Sequence, residues 1–339
     1  MKRLCLLAAS LALLWGFCPP ARAAGITLNF KAASAAEVSA ADQRFAELVE
    51  QKTQGRIEVV LHTGDALYSA DALTVEALLV GDLAFATLPA SALADFVPLL
   101  GALRLPFLFS GNLSLWETLA AESTGQNLLN AVAACSGDAL EALGWRQGAV
   151  QYLYLHEDAA APVDWAGLRL YAQDALACDM LVALGAEPVT SLSAEEAAAA
   201  AQNLDGACGT PGPGETDASL FAGSGLQIPY AFEPRVFVAS AAALAASGVH
   251  DEDREILYEC AKASQAYAAE LAAQRADDAA AQAAAQGGRV LELPTDALRD
   301  LQGRMAEPLE PLGGQSVYGK WAAGLEDALY PLLLPALTE

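Results

Sequence analysis

Few side chains in this sequence have the types and spacing that chemistry needs. The clearest candidate is Tyr171, which ends the alternating run Gly-Leu-Arg-Leu-Tyr before a helix-forming stretch from Asp174 to Leu184. Strand ends that open onto helix starts are where open α/β sheets bind small molecules. A phenol there can donate one hydrogen bond but cannot neutralise a charge. Arg169 shares its strand face, about 7 Å back at roughly 3.3 Å per residue. The segment GTPGPGE, from Gly209 to Glu215, has the glycines of a phosphate loop. Pro211 and Pro213 remove backbone donors, and no Gly-Lys-Ser/Thr follows, so it reads as an ordinary loop. Glu195 and Glu196 head an alanine-rich helix, where carboxylates favourably meet the helix dipole.

Several chemistries are excluded by what is missing. His62, His156 and His250 are scattered, and no Cys/His spacing suits zinc. No Ser/His/Asp or Cys/His arrangement and no converging carboxylate pair supports an enzyme, and no cofactor or metal is called for. The formal charge of -24 and the scarcity of clustered Lys and Arg argue against nucleic acid. The same field repels anionic ligands unless a local cation captures them.

The elements that must position Tyr171 begin after an export leader. Lys2 and Arg3 precede an apolar run and the small residues of Ala21-Arg22-Ala23, which predicts cleavage after Ala23 and a periplasmic protein. Cys18 raises lipidation, but Trp15 and Phe17 stand where a lipobox wants small residues. Four cysteines follow the leader, Cys135, Cys178, Cys208 and Cys260. In an oxidising compartment this suggests one or two disulfides, with three full pairings open.

ITLNF reads as a strand, ADQRFAELVEQKTQG as a helix with Phe45, Leu48 and Val49 on one face, and RIEVVLH as a second strand. DALTVEALLVG is helical, DLAFATLP a strand, Trp116 to Ala133 a helix, and ALGWRQGAVQYLYL strand-like. LRLYAQ, a helix over Asp174–Leu184, AEPVTSL, and a helix near Glu195–Gln202 follow. AFEPRVFVAS then returns as a strand, and a helix from about Asp251 to Gln286 exceeds ordinary globular lengths. Alternation of this kind specifies a mostly parallel sheet covered by helices, and the length suggests two lobes.

FVPLLGALRLPFLF, from Phe96 to Phe109, resembles the solute-binding subunit of TRAP transporters, the DctP-like family. FAELVEQKTQGRIEVV is similar to the family's first helix and second strand, and Gly144-Trp145 to its GW strand. Pro162 to Leu168 resembles PEDLKGLK, Leu204-Asp205-Gly206 resembles VDG, and AFEPRVFVAS resembles YSPYVLVIS. The resemblance implies a type II periplasmic-binding-protein-like α/β fold: two lobes, hinge strands and a long helix spanning both. It places lobe I over 24–150 with 237–280 returning, and lobe II over 151–236 with 281–339 returning. It implies closure on a small-molecule ligand and delivery to TRAP-type membrane subunits or a periplasmic helical-repeat partner, without catalysis.

Against that family this chain departs at the clamp. Tyr171 stands where the resemblance implies an arginine gripping the ligand carboxylate, Gln151 where many members carry a second arginine, and Ala207-Cys208-Gly209 where a polar run helps hold the ligand. Glu196 takes a position commonly held by an aromatic facing the ligand. The ligand-binding residues implied are Tyr171, Gln151, Trp145, Tyr230, Phe232, Gly209 and Glu196, with Tyr152 and Tyr154 nearby. Strand alternation sends part of this set to the core. A Cys178–Cys208 disulfide would stiffen the same wall.

A carboxylate buried without a partner costs several kcal/mol, more than a few neutral hydrogen bonds of about 1 kcal/mol each return. The first expectation is therefore a neutral, largely apolar ligand. One alternative keeps an organic acid, held by a relocated Arg169, Arg146 or Arg235. Another is an interaction or sensory protein that binds no ligand.

Overall fold

The computed structural model describes residues 25–32, 39–63, 67–156, 165–190, 196, 203–210, 225–285, 287–291 and 293–325. The expected leader, the Glu195–Gln202 helix apart from Glu196, and most of GTPGPGE lie outside them. No helix among the described residues is long and apolar enough to cross a membrane.

The strands are β1 (Ile26–Lys31), β2 (Ile57–His62), β3 (Phe85–Pro89), β4 (Leu140–His156), β5 (Arg169–Tyr171), β6 (Glu187–Val189), β7 (Gly206–Gly209), β8 (Gly225–Ser240) and β9 (Arg289–Val290). The helices are α1 (Ala40–Lys52), α2 (Asp71–Val80), α3 (Pro98–Ala102), α4 (Asn112–Ala120), α5 (Asn127–Ser136), α6 (Ala175–Ala183), α7 (Ala241–Ala246), α8 (Asp251–Ala285), α9 (Thr295–Ala306) and α10 (Val317–Trp321). The sheet runs β2-β1-β3-β8-β4-β7-β5-β6, with β9 beside β8.

Two strands build the two lobes. β4 and β8, of 17 and 16 residues, pair antiparallel along their whole lengths, from Leu140 opposite Ser240 to His156 opposite Gly225. The Arg235–Ala239 half of β8 carries β3 and, through it, β1 and β2. The Tyr152–Leu155 half of β4 carries β7, then β5 and β6. Between these halves the ladder is interrupted at Arg146/Ala149 and at Gln151/Tyr152. Such bulges bend strands and raise their twist. Gly148 is required there, because a Cβ would lie 1.7 Å from the Glu233 carbonyl oxygen.

α1 shows how sequence becomes packing. The Ser39 hydroxyl caps it by accepting from the Asp42 amide at 3.1 Å. Phe45 and Val49, one turn apart, are buried. The Phe45 ring lies 5.2 Å from Phe85 and 4.8 Å from Phe237, which joins β3, β8 and α1 in one aromatic cluster.

On the same helical face Asp42 is also fully buried. Arg146 of β4 donates from Nε to Asp42 Oδ1 at 2.8 Å and from a terminal nitrogen to Ser264 Oγ of α8 at 2.8 Å. Its guanidinium also lies 4.6 Å from the Phe237 ring centroid. Thr87 of β3 donates to Asp42 Oδ1 at 3.0 Å. Burial pulls the Arg146 pKa down, and attraction to Asp42 opposes that.

The long helix is present as α8, 35 residues from Asp251 to Ala285. Lys52–Glu259 at 2.6 Å, the Arg56–Asp253 pair and Arg254–Glu141 at 3.3 Å tie its start to the first lobe. Its far end turns directly into β9, which pairs with Leu226 and Gln227 at the second-lobe end of β8. The helix thus spans both lobes.

One expected element is broken. Trp116–Ala133 is not a single helix: α4 ends at an extended Ala121, a π turn covers Glu122–Gln126, and α5 follows. Gly125 lies so close to the preceding turn that a Cβ would stand 1.8 Å from the Leu119 oxygen. Ser123, Thr124 and Gly125 are also poor helix formers.

The Arg146→Met change strands a buried carboxylate. It is expected to lower the unfolding free energy in urea titration by about 3–5 kcal/mol, with the Asp42→Asn/Arg146→Met double variant recovering much of the loss. Equal losses in single and double variants would contradict this coupling.

Candidate functional site

The second-lobe wall is built by period-two alternation. Tyr152 and Tyr154 on β4 share a sheet face with Tyr171 on β5, and the three cluster with Leu204 and Ala207. Leu153, Leu155 and Leu170 turn the other way into the main core. In register Tyr171 stands beside Val189 of β6 and Ala207 of β7. The Tyr152 and Tyr154 rings lie 5.9 Å apart. The Tyr154 hydroxyl is buried with no hydrogen-bond partner among the described residues. Burial raises the pKa of Tyr152 and Tyr154 above the ordinary phenol value, so these groups remain neutral donors at physiological pH.

The other residues of the expected set are dispersed. Trp145 is fully buried in the main core. The Tyr230 carbonyl accepts from the Phe107 amide at 2.6 Å, and its ring lies 6.3 Å from Phe107. Phe232 meets Phe109 edge-on at 6.4 Å. These three aromatics therefore fill the interior. Gln151 is half-buried in the crossing segment opposite Ala231. Gly209 ends β7 beside Tyr152, buried, and Glu196 is exposed.

The three arginines weighed as a carboxylate clamp have different fates. Arg146 is spent on Asp42 inside the first lobe. Arg169 is exposed; its amide donates to the Asp205 carboxylate at 2.8 Å and its guanidinium to the Asn203 carbonyl at 3.1 Å. Arg235 is half-buried at the hinge, opposite Pro89 and Arg146, and has no ion pair among the described residues. Its stem runs beside the side-chain-free face of Gly148.

Arg104, which the sequence reading did not single out, also approaches the crossing. It lies 4.0 Å from Glu233 of β8, whose carboxylate accepts from Ser91. Its only local signal is a charge within the apolar ALRLPF run.

Cys135, Cys178, Cys208 and Cys260 are free, so the Cys178–Cys208 bridge is not made. The Cys208 thiol lies beside Tyr230 on the strand side, whereas Cys178 sits on α6 near Asp179 and Lys320. Burial raises the pKa of both thiols. Among the described residues no group of His, Cys, Asp and Glu could hold a metal ion.

The family model described as "Bacterial extracellular solute-binding protein, family 7" (DctP) matches residues 29–202, just over half the chain. A Sinorhizobium fredii relative, uncharacterized protein y4mM, is 31% identical over 170 residues; the match covers 49% of this chain and 30% of the relative. Among solved structures, a TRAP periplasmic solute-binding protein from Ochrobactrum anthropi, with its C-terminus bound in its ligand-binding pocket, has a TM-score of 0.73 at 22% identity, covering 92% of this chain and 96% of its own. A TRAP periplasmic solute-binding protein from Sulfitobacter sp. NAS-14.1 with bound β-D-galacturonate has a TM-score of 0.62 at 19% identity, covering 91% and 98%. These structures share the two-lobed fold.

With free thiols, a reducing agent is expected to leave the melting temperature unchanged. Exposed Cys135 should react first with a thiol reagent, half-buried Cys178 more slowly, and Cys208 only on unfolding. A melting temperature lowered by reduction would contradict the free Cys178 and Cys208.

Proposed function

This chain belongs to family 7 of the bacterial extracellular solute-binding proteins, and from that premise we propose that it is the periplasmic component of a TRAP-type uptake system that closes on a small organic acid. The family is one of transport proteins rather than enzymes. The architecture supports closure: in this reading, solute contacts on both lobes stabilise a closed arrangement about the β4–β8 crossing, and a membrane partner reads that arrangement.

The observation that carries the acid is Arg235, a half-buried guanidinium at the crossing whose charge is not matched by an ion pair among the described residues. A planar guanidinium can grip both oxygens of a carboxylate, and it supplies the local cation that an acidic protein needs to hold an anion. The galacturonate bound by the Sulfitobacter protein supports the same ligand class. In this arrangement the acid is held from the first-lobe side of the hinge, and Tyr171 stands on the second-lobe side.

A second reading, a neutral and largely apolar solute, is favoured by the clustering of Tyr152, Tyr154 and Tyr171 with Leu204 and Ala207. Titration calorimetry with D-galacturonate, succinate and uncharged galactose separates the two. The acid reading expects affinity for at least one acid, lost at least tenfold in Arg235→Gln, with Arg169→Gln nearly silent. Tight binding of a neutral compound, unmoved by Arg235→Gln and abolished by Tyr171→Ala, would establish the second reading instead.

A further inference from the structure

Exposed apolar surface is concentrated at one place. Of the eight large apolar side chains exposed among the described residues, four are Leu67, Leu73, Leu79 and Val80, on α2 or just before it. α2, DALTVEALLV, has only Asp71 and Glu76 as charges. Its inner side buries Thr74, Val75, Ala77 and Leu78. Eight of its ten residues are uncharged, yet Val80 is 63% and Leu73 47% exposed. Exposed apolar side chains gathered on one helix mark interaction sites.

The outer side of α2 forms one wall of a groove of about 540 Å³, whose other wall carries Asp95, Phe96 and Arg104. Leu79 and Phe96 make an apolar lining, joined by the edge of Val75, which is otherwise buried on the inner side, and Asp71, Glu76 and Asp95 supply three negative charges. The opposing Arg104 is directed to Glu233 at 4.0 Å.

We propose that this groove docks a protein partner through an amphipathic segment, its apolar side chains against Val75, Leu79 and Phe96 and its lysines or arginines against Asp71, Glu76 and Asp95. Helix-in-groove recognition needs this combination of apolar lining and charged rim, and complementary charge fixes its orientation. The same charges disfavour the two other occupants. A second copy of this chain, at a formal -24, and an anionic membrane surface would both be repelled by the acidic rim. The docking surface lies on α2 and the segment after β3, and it does not depend on the identity of the solute.

The test uses a fluorescent leucine–lysine amphipathic peptide about five turns long and its leucine–glutamate counterpart, with fluorescence anisotropy as readout. Three variants are compared with wild type: Glu76→Lys/Asp95→Lys, Leu79→Ser, and Glu255→Lys/Glu270→Lys, the last making the same change of net charge on the exposed side of α8. Unchanged circular dichroism and melting temperature verify each fold. The leucine–lysine peptide is expected to lose at least tenfold in affinity in both groove variants and less than twofold in the α8 control, and the glutamate peptide not to bind. Equal losses in groove and control charge variants would reduce the effect to net charge and overturn the proposal. A dimer in sedimentation that Leu79→Ser disperses, or phosphatidylglycerol vesicle binding lost in that variant, would overturn it in favour of a second copy or a membrane.

Discussion

The antiparallel pairing of β4 with β8 is the constraint from which the rest of the molecule follows. It is the one ladder that continues from the β2-β1-β3 side of the sheet into the β7-β5-β6 side. A rigid ladder of this length would weld the two sides together. Here it is interrupted twice within seven residues of β4, between Arg146 and Tyr152, and Gly148 brings the backbones into close approach within that interval. Two closely spaced interruptions concentrate bending at the crossing, while the pairing on either side, broken once more only at Ala142/Gly144, keeps each lobe a unit. The α8 helix limits that bending, since it is pinned by ion pairs at its first-lobe end and runs into β9 at the other.

Charge is distributed around this crossing in two different ways. Arg146 sits just before the bulge and is desolvated, with its charge consumed by Asp42 and its remaining donors by Ser264 and the Trp145 carbonyl. That arrangement holds α1, β3, β4 and α8 in a fixed relation, and removing either partner would leave an uncompensated buried charge. Arg235, opposite it in register, is half-buried and has no such counter-charge among the described residues. One guanidinium therefore serves the scaffold, and the proposed function assigns the other to a solute. In a molecule this acidic, a local cation at the lobe crossing is what makes binding of an acid physically reasonable.

Much of the scaffold was legible because its patterns are local. Phe45 and Val49 announce the buried face of α1, the alternation of Tyr152 with Leu153 and Tyr154 with Leu155 announces a strand with two different faces, and α8 ends within a residue of its expected limit. The family resemblance supplied the order of the elements. The fate of single polar groups was not legible. Whether Arg146 turns to the cleft or to the core depends on Asp42, 104 residues away in sequence, and no periodicity carries that information. Trp145, Tyr230 and Phe232 illustrate the same limit: their aromatic character fits both a ligand wall and a core, and only the packing against Phe107 and Phe109 assigns the latter two to the interior. The free thiols follow from where Cys178 and Cys208 face, which cysteine parity does not encode.

The central claim is that solute binding moves two lobes about the β4–β8 crossing. It is tested most directly by pulsed electron paramagnetic resonance between spin labels at Glu58→Cys on β2 and Glu187→Cys on β6, exposed positions on the two edge strands, in a background with Cys135 and Cys178 replaced by serine. As the bound solute is titrated in, the interlabel distance is predicted to shift to a shorter, narrower distribution. A distribution unchanged at saturating solute would contradict the account.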